Sequence, residues 1–124
     1  MNSNSRDLPF APEVPQVRPL IVDVQASNFD DAVLKNPEPV VVSFRADWCS
    51  SCKTLEPTLK SLADEKLGDI KFVAVDIERN EVLADQYSVR AIPTLLVFHC
   101  GLMKDRIVGG ATELELRNLL AAYQ

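Results

Sequence analysis

The chain has 124 residues, with 13 basic against 18 acidic side chains and a net charge of −5. That length fits one domain with its own hydrophobic core, and nothing concentrates positive charge into a surface for nucleic acid or anionic membrane. Three cysteines, two of them in a Cys-x-x-Cys, exclude the even-numbered framework of a small disulfide-stapled secreted domain; without a signal-peptide pattern or a membrane-length apolar run, a soluble cytoplasmic protein is expected.

Residues 1–19 carry Pro9, Pro12, Pro15 and Pro19 among polar neighbours, which denies the segment helix and sheet hydrogen bonding. A loosely packed arm is expected there, either a plain tail or a strap across a domain spanning 20–124. Leu20–Val24 reads as a first strand, and Ser27-Asn28-Phe29-Asp30 as the cap of a helix with Phe29, Ala32 and Val33, stopped by Pro37 and Pro39. Val40–Phe44 is apolar on both faces, as a central parallel strand should be.

Trp48-Cys49-Ser50-Ser51-Cys52-Lys53 falls where that strand runs into a second helix. One helix face carries Cys52, Leu55, Leu59, Leu62 and Lys66, with Ala63 and Leu67 beside it. Pro57 should bend the helix one turn in, and Gly68 should end it in a left-handed cap. Cys49, at the helix start, is expected at the surface and Cys52 on the buried face. The free N–H groups of the helix start favour the thiolate of Cys49.

Ile70–Ile77 reads as another apolar strand, and Asn80 as the cap of a short helix through Val82, Leu83 and Tyr87. Ile92-Pro93-Thr94 leads into strand Leu95–Phe98, His99-Cys100-Gly101 turns the chain, and Met103–Val108 returns. Thr112-Glu113-Leu114-Glu115 is a capping box opening a last helix with Leu116, Leu119, Leu120 and Tyr123 inside. The order β-α-β-α-β-α-β-β-α describes an α/β protein with a central mixed β-sheet flanked by helices.

This order, with Trp-Cys-x-x-Cys-Lys after a buried strand, a later Ile-Pro-Thr and a glycine-bearing hairpin before a terminal helix, resembles the thioredoxin family. Phe44, Ala46, Trp48, Lys53, Pro57, Pro93, Thr94, Gly101 and Gly109 stand at family-like positions, and the resemblance covers 20–124. It implies a thioredoxin-like fold and a thiol-disulfide oxidoreductase that reduces protein disulfides, with Cys49 attacking and Cys52 resolving. Its redox centre would be the Cys49–Cys52 disulfide, with no bound cofactor and no metal. Pro93 matches the family's cis-proline facing the motif, and Trp48, Ile92, Val108, Gly109 and Gly110 would complete an apolar landing surface for an extended client strand. The implied partners are disulfide-containing client proteins and a recycling NADPH-dependent flavin reductase, with no nucleic acid and no membrane, the chain acting as a monomer. Two other readings are a disulfide oxidase, isomerase or single-partner reductase, and a binding module or holdase chaperone; retention of both cysteines speaks against the last.

Three positions depart from the family's pattern. Ser50-Ser51 replace the usual Gly-Pro, removing a fixed φ and adding two hydroxyls, so a more oxidising potential is expected. Ser43 stands where most members carry a buried aspartate; either it simply packs, or Cys52 lacks its usual proton acceptor and loses its proton slowly or through water. Arg45, replacing a frequent aromatic, either lies solvated or lowers the pKa of Cys49 and selects acidic clients. Asp47 and Lys53 read as solvated side chains, each lying near enough to tune the motif's charge. A zinc site from Cys49, Cys52, His99 and Cys100 is disfavoured, because adjacent residues rarely reach one tetrahedral ion. Cys100 reads as a turn cysteine, or as a site of glutathionylation or intermolecular disulfide.

Overall fold

A computed structural model describes residues 19–123. The expected arm, apart from Pro19, lies outside the described residues. The strands are β1 (Ile21–Asp23), β2 (Val40–Arg45), β3 (Lys71–Asp76), β4 (Thr94–His99) and β5 (Leu102–Val108), ordered β1-β3-β2-β4-β5. β1, β3 and β2 run parallel; β4 is antiparallel to β2 and β5 to β4. The helices are α1 (Ala26–Phe29), continued as a π-helical stretch over Asp30–Leu34, α2 (Ser50–Glu65), α3 (Glu81–Gln86) and α4 (Glu113–Leu120) with a 3-10 turn, Ala121–Tyr123. This is the expected mixed sheet in the expected order.

Alternation along β2 builds both halves of the core. Val40, Val42 and Phe44 join Val73, Val75, Leu96 and Phe98 on the face covered by Phe29, Val33, Leu83 and Ala84 of the first and third helical segments. Val41 joins Phe72, Leu95 and Val97 on the other face, under Leu55, Leu59, Leu62 and Ala63 of α2 and Leu116 and Leu120 of α4. Ser43 shares the parity of Val41 and therefore lies on the α2 side. On the opposite face Phe29, Tyr87 and Phe98 form a ring cluster with centroids 5.3–5.6 Å apart.

Helix ends differ from expectation where partners come from far along the chain. α1 begins at Ala26, not after Ser27, because Asn28 Oδ1 accepts the Gln25 N–H at 2.8 Å and Asn80 Oδ1 accepts the Ala26 N–H at 2.8 Å. Asn80 occupies the cap position of α3, but its buried side chain turns away to α1, also donating to Gln25 Oε1 and Asp76 O. Leu67 follows the end of α2 and is exposed, as is Val82 on α3. The α4 capping box forms as expected: Thr112 Oγ1 accepts the Glu115 N–H, and Glu115 Oε1 the Thr112 N–H. α2 runs unbroken through Pro57, and Arg117 forks onto the Glu65 carboxylate at its far end, at 2.6 and 2.8 Å.

The β4–β5 hairpin turns on Cys100 and Gly101, both at positive φ (55° and 80°), the pattern of a type I′ turn. β5 is the outer strand on this side, largely exposed, with an irregular register opposite Val97 and Phe98.

Candidate active site

β2 ends at Arg45, and three residues later Cys49 becomes the N-cap of α2, with extended backbone angles (φ −85°, ψ 106°). Its N–H donates to Ala46 O at 3.2 Å, and its Sγ accepts the Cys52 N–H at 3.1 Å. A sulfur thus takes the place of the usual cap oxygen and uses a donor that the helix start leaves free. The partial positive charge of that helix end falls on the same sulfur. Cys49 and Cys52 are joined as a disulfide, their Cα atoms 5.3 Å apart.

Contrary to the surface position expected for Cys49, it is 5% exposed, slightly less than Cys52 at 8%. Capping explains this: the side chain folds back over the first turn, and the pair packs with Ala46 against Ile77 and Ile92.

The Ile92–Pro93 bond is cis, and Pro93 is buried. Its carbonyl accepts the Gly109 N–H at 2.8 Å, and the β4–β5 register sets Val108 opposite Thr94. Gly109 and Gly110 have φ of 88° and 99°, a region glycine enters without strain, and a Cβ on Gly110 would stand 3.8 Å from Pro93 Cγ. The fold therefore gathers Val108, Gly109 and Gly110 around Pro93, and sets Ile92 against the cysteine pair. Trp48 is 65% exposed beside Cys49, its indole N–H donating to Glu78 Oε2 at 2.8 Å. Glu78 comes from the loop after β3, and no local pattern in the chain announces that pairing.

Of the two intervening serines, Ser51 reaches the motif: its Oγ lies 3.4 Å from Cys49 Sγ. Ser50 is exposed, and its carbonyl accepts the Thr54 hydroxyl. Arg45 is half-buried and engaged, its Nη2 2.7 Å from Asp47 Oδ1. That hydrogen bond holds the Asp47 carboxyl below its ordinary value and raises the already high guanidinium value.

Below Cys52 is a cavity of about 30 Å³ lined by Ser43, Arg45, Cys52, Lys53, Glu56 and Leu59 among others. Ser43 is 6% exposed, and its hydroxyl meets no hydrogen-bond partner among the described residues. Glu56 is the site residue that the reading of the chain passed over, although it follows Cys52 by one helical turn, a spacing that shares a face. His99 and Cys100 sit at the far end of β4, roughly 17 Å from Thr94 at about 3.4 Å per residue. Cys100 is exposed and unbridged, and among the described residues no group of three or more His, Cys, Asp or Glu is placed to hold a metal ion.

A family model described as thioredoxin matches residues 20–122. The chain is 38% identical over 100 residues to a thioredoxin of Buchnera aphidicola subsp. Schizaphis graminum, covering 81% of this chain and 93% of that protein. To a thioredoxin of Porphyra purpurea it is 32% identical over 103 residues, covering 83% and 96%. To the chloroplastic thioredoxin M2 of Arabidopsis thaliana it is 38% identical over 100 residues, covering 81% and 54%, so the chain spans about half the length of that relative. A disulfide capping the helix after a central strand, a cis-proline loop packed beside it and a match over residues 20–122 agree: this chain belongs to the thioredoxin family.

Proposed function

We propose that the protein is a thiol-disulfide oxidoreductase that reduces protein disulfides. The observation that carries this reading is the Cys49–Cys52 pair on the first turn of α2, with Cys49 Sγ held by the Cys52 N–H. In the reduced protein the Cys49 thiolate attacks one sulfur of a client disulfide, forming a mixed disulfide and releasing the other client sulfur as a thiolate. Cys52 then attacks Cys49, the Cys49–client bond breaks, the second client thiolate leaves and the internal disulfide closes. The client gains two electrons and the dithiol loses two. Trp48, Ile92, Pro93, Val108, Gly109 and Gly110 present the surface along which the client strand lies. A flavin- and NADPH-dependent reductase returns the disulfide to the dithiol, and the protein acts as a cytoplasmic monomer.

Reduction of insulin disulfides by dithiothreitol, followed by turbidity, tests this. The wild-type protein should accelerate it, and Cys49→Ser should return the rate to that of dithiothreitol alone; an equally active Cys49→Ser would refute the reading.

A second direction, donation of the disulfide to dithiol clients, is favoured by the Ser51 hydroxyl 3.4 Å from Cys49 Sγ. A hydroxyl donating to a thiolate stabilises the reduced form, and about 1.4 kcal/mol raises a two-electron potential by about 30 mV. Ser50→Gly/Ser51→Pro should accordingly have the lower potential of the two proteins, by about 30 mV or more, on equilibration with glutathione buffers. An equal or higher potential in the variant would remove the role given to Ser51.

A further inference from the structure

The resolving step of the proposed exchange needs a proton acceptor, since a thiol attacks a disulfide only as its thiolate. Cys52 is 8% exposed, so bulk water has little access to its proton. On the sheet side it borders the cavity of about 30 Å³, enough to hold a water molecule. Ser43 lines that cavity, buried to more than nine-tenths, with its hydroxyl unpartnered among the described residues. Such a group strongly favours a water partner. Of the other polar side chains lining the cavity, Arg45 and Lys53 are cations and cannot accept a proton. Glu56 is the one carboxylate there.

We propose that Glu56 is the proton acceptor for Cys52, working through a water held in this cavity by the Ser43 hydroxyl. The role rests on the oxidoreductase reading above. As Cys52 Sγ bonds to Cys49 Sγ, the Cys52 proton passes to the water and a water proton passes to the Glu56 carboxylate. The Cys49–client bond breaks, and its electron pair leaves on the client sulfur. A carboxylate is a weaker base than a thiolate, so the transfer accompanies attack and does not precede it. Glu56 is 49% exposed at its side chain, which lets the proton continue to solvent.

The charges around Glu56 are mixed. Lys60 Nζ lies 3.7 Å from Glu56 Oε2, and Lys53 shares the cavity wall on the same helix. Arg45 faces it from β2, paired with Asp47, and Asp23 of β1 and Asp47 line the adjoining cleft with Glu56. Lys53, Lys60 and Arg45 thus set three cations around Glu56 against the two anions Asp23 and Asp47.

The test is stopped-flow reaction of the reduced protein, in a Cys100→Ser background, with 5,5′-dithiobis(2-nitrobenzoate). Attack by Cys49 releases one thionitrobenzoate, and attack by Cys52 on the resulting mixed disulfide releases a second. Glu56→Gln should leave the first phase unchanged and slow the second by about tenfold or more near pH 7, with the deficit closing toward about pH 9, where a thiol ionises unaided. Ser43→Asp in the Glu56→Gln background, which puts a carboxylate back into the cavity, should restore the second phase. A second phase unaffected by Glu56→Gln, or slowed equally at every pH, would overturn the role. A Cys100→Ser protein with Glu56 intact that releases no second equivalent would overturn the dithiol exchange itself, and this role with it.

Discussion

Cys52→Ser should turn the protein from a turnover catalyst into a covalent trap. Cys49 keeps its cap position and the positive end of α2, so the first attack survives; the hydroxyl that replaces Cys52 Sγ cannot displace the client. The internal thiol sits 5.3 Å away between Cα atoms, and the Cys49 cap already orients its helical turn. Compared with millimolar external thiol, such an intramolecular nucleophile has an effective concentration higher by at least about 10³. The protein's own contribution to insulin reduction, above that of dithiothreitol alone, should therefore fall at least about 10³-fold, and with no external thiol present mixed disulfides should accumulate to one equivalent per chain on Cys49. Non-reducing electrophoresis and peptide mass spectrometry read this directly. Retained turnover, or no adduct at Cys49, would assign resolution to another group and refute the division of roles.

Phe98→Ala should be the most damaging change far from the sulfurs. Phe98 is 1% exposed at the end of β4, and its ring meets Phe29 at 5.6 Å and Tyr87 at 5.3 Å, both nearly edge-on. Truncation removes a large apolar volume and two favourable ring contacts, and rigid strands on both sides limit collapse. The expected loss is about 3–5 kcal/mol, a large part of the ~5–15 kcal/mol that holds a domain folded. Phe98→Leu, which retains most of the volume, should lose less than half as much. Urea unfolding at unchanged m-value measures both, and a loss below about 1 kcal/mol for alanine would show that the cluster does not support this half of the core.

What was legible in the chain followed from local rules. The continuous β-branched apolar run Val40–Phe44, the three-to-four-residue period after Cys52 and the Thr112–Glu115 box each specify an element without knowledge of its neighbours, and all three are observed. The hairpin at Cys100-Gly101 is legible for the same reason. Misread points involve partners distant in the chain. Asn80 caps the start of α1 across 54 residues, and Glu78 holds Trp48 across 30. Cys49 belongs to a third kind: its helix-start position was visible, but a cap side chain folds inward, and burial follows from that geometry. Glu56 was legible by spacing, yet its relevance depends on the parity that turns Ser43 toward α2.

The exposed outer strand β5 has a consequence for how the protein meets other chains. A long, flat border of unpaired backbone groups invites a second copy to add itself to the sheet, the first step of aggregation. Here Lys104, Asp105 and Arg106 occupy the middle of that border, and the register irregularity opposite Val97 and Phe98 twists it away from a straight template. The opposite border, β1, is three residues long. Both margins are thus poor templates for self-assembly, and the sheet is protected at each border by its own sequence rather than by a covering element.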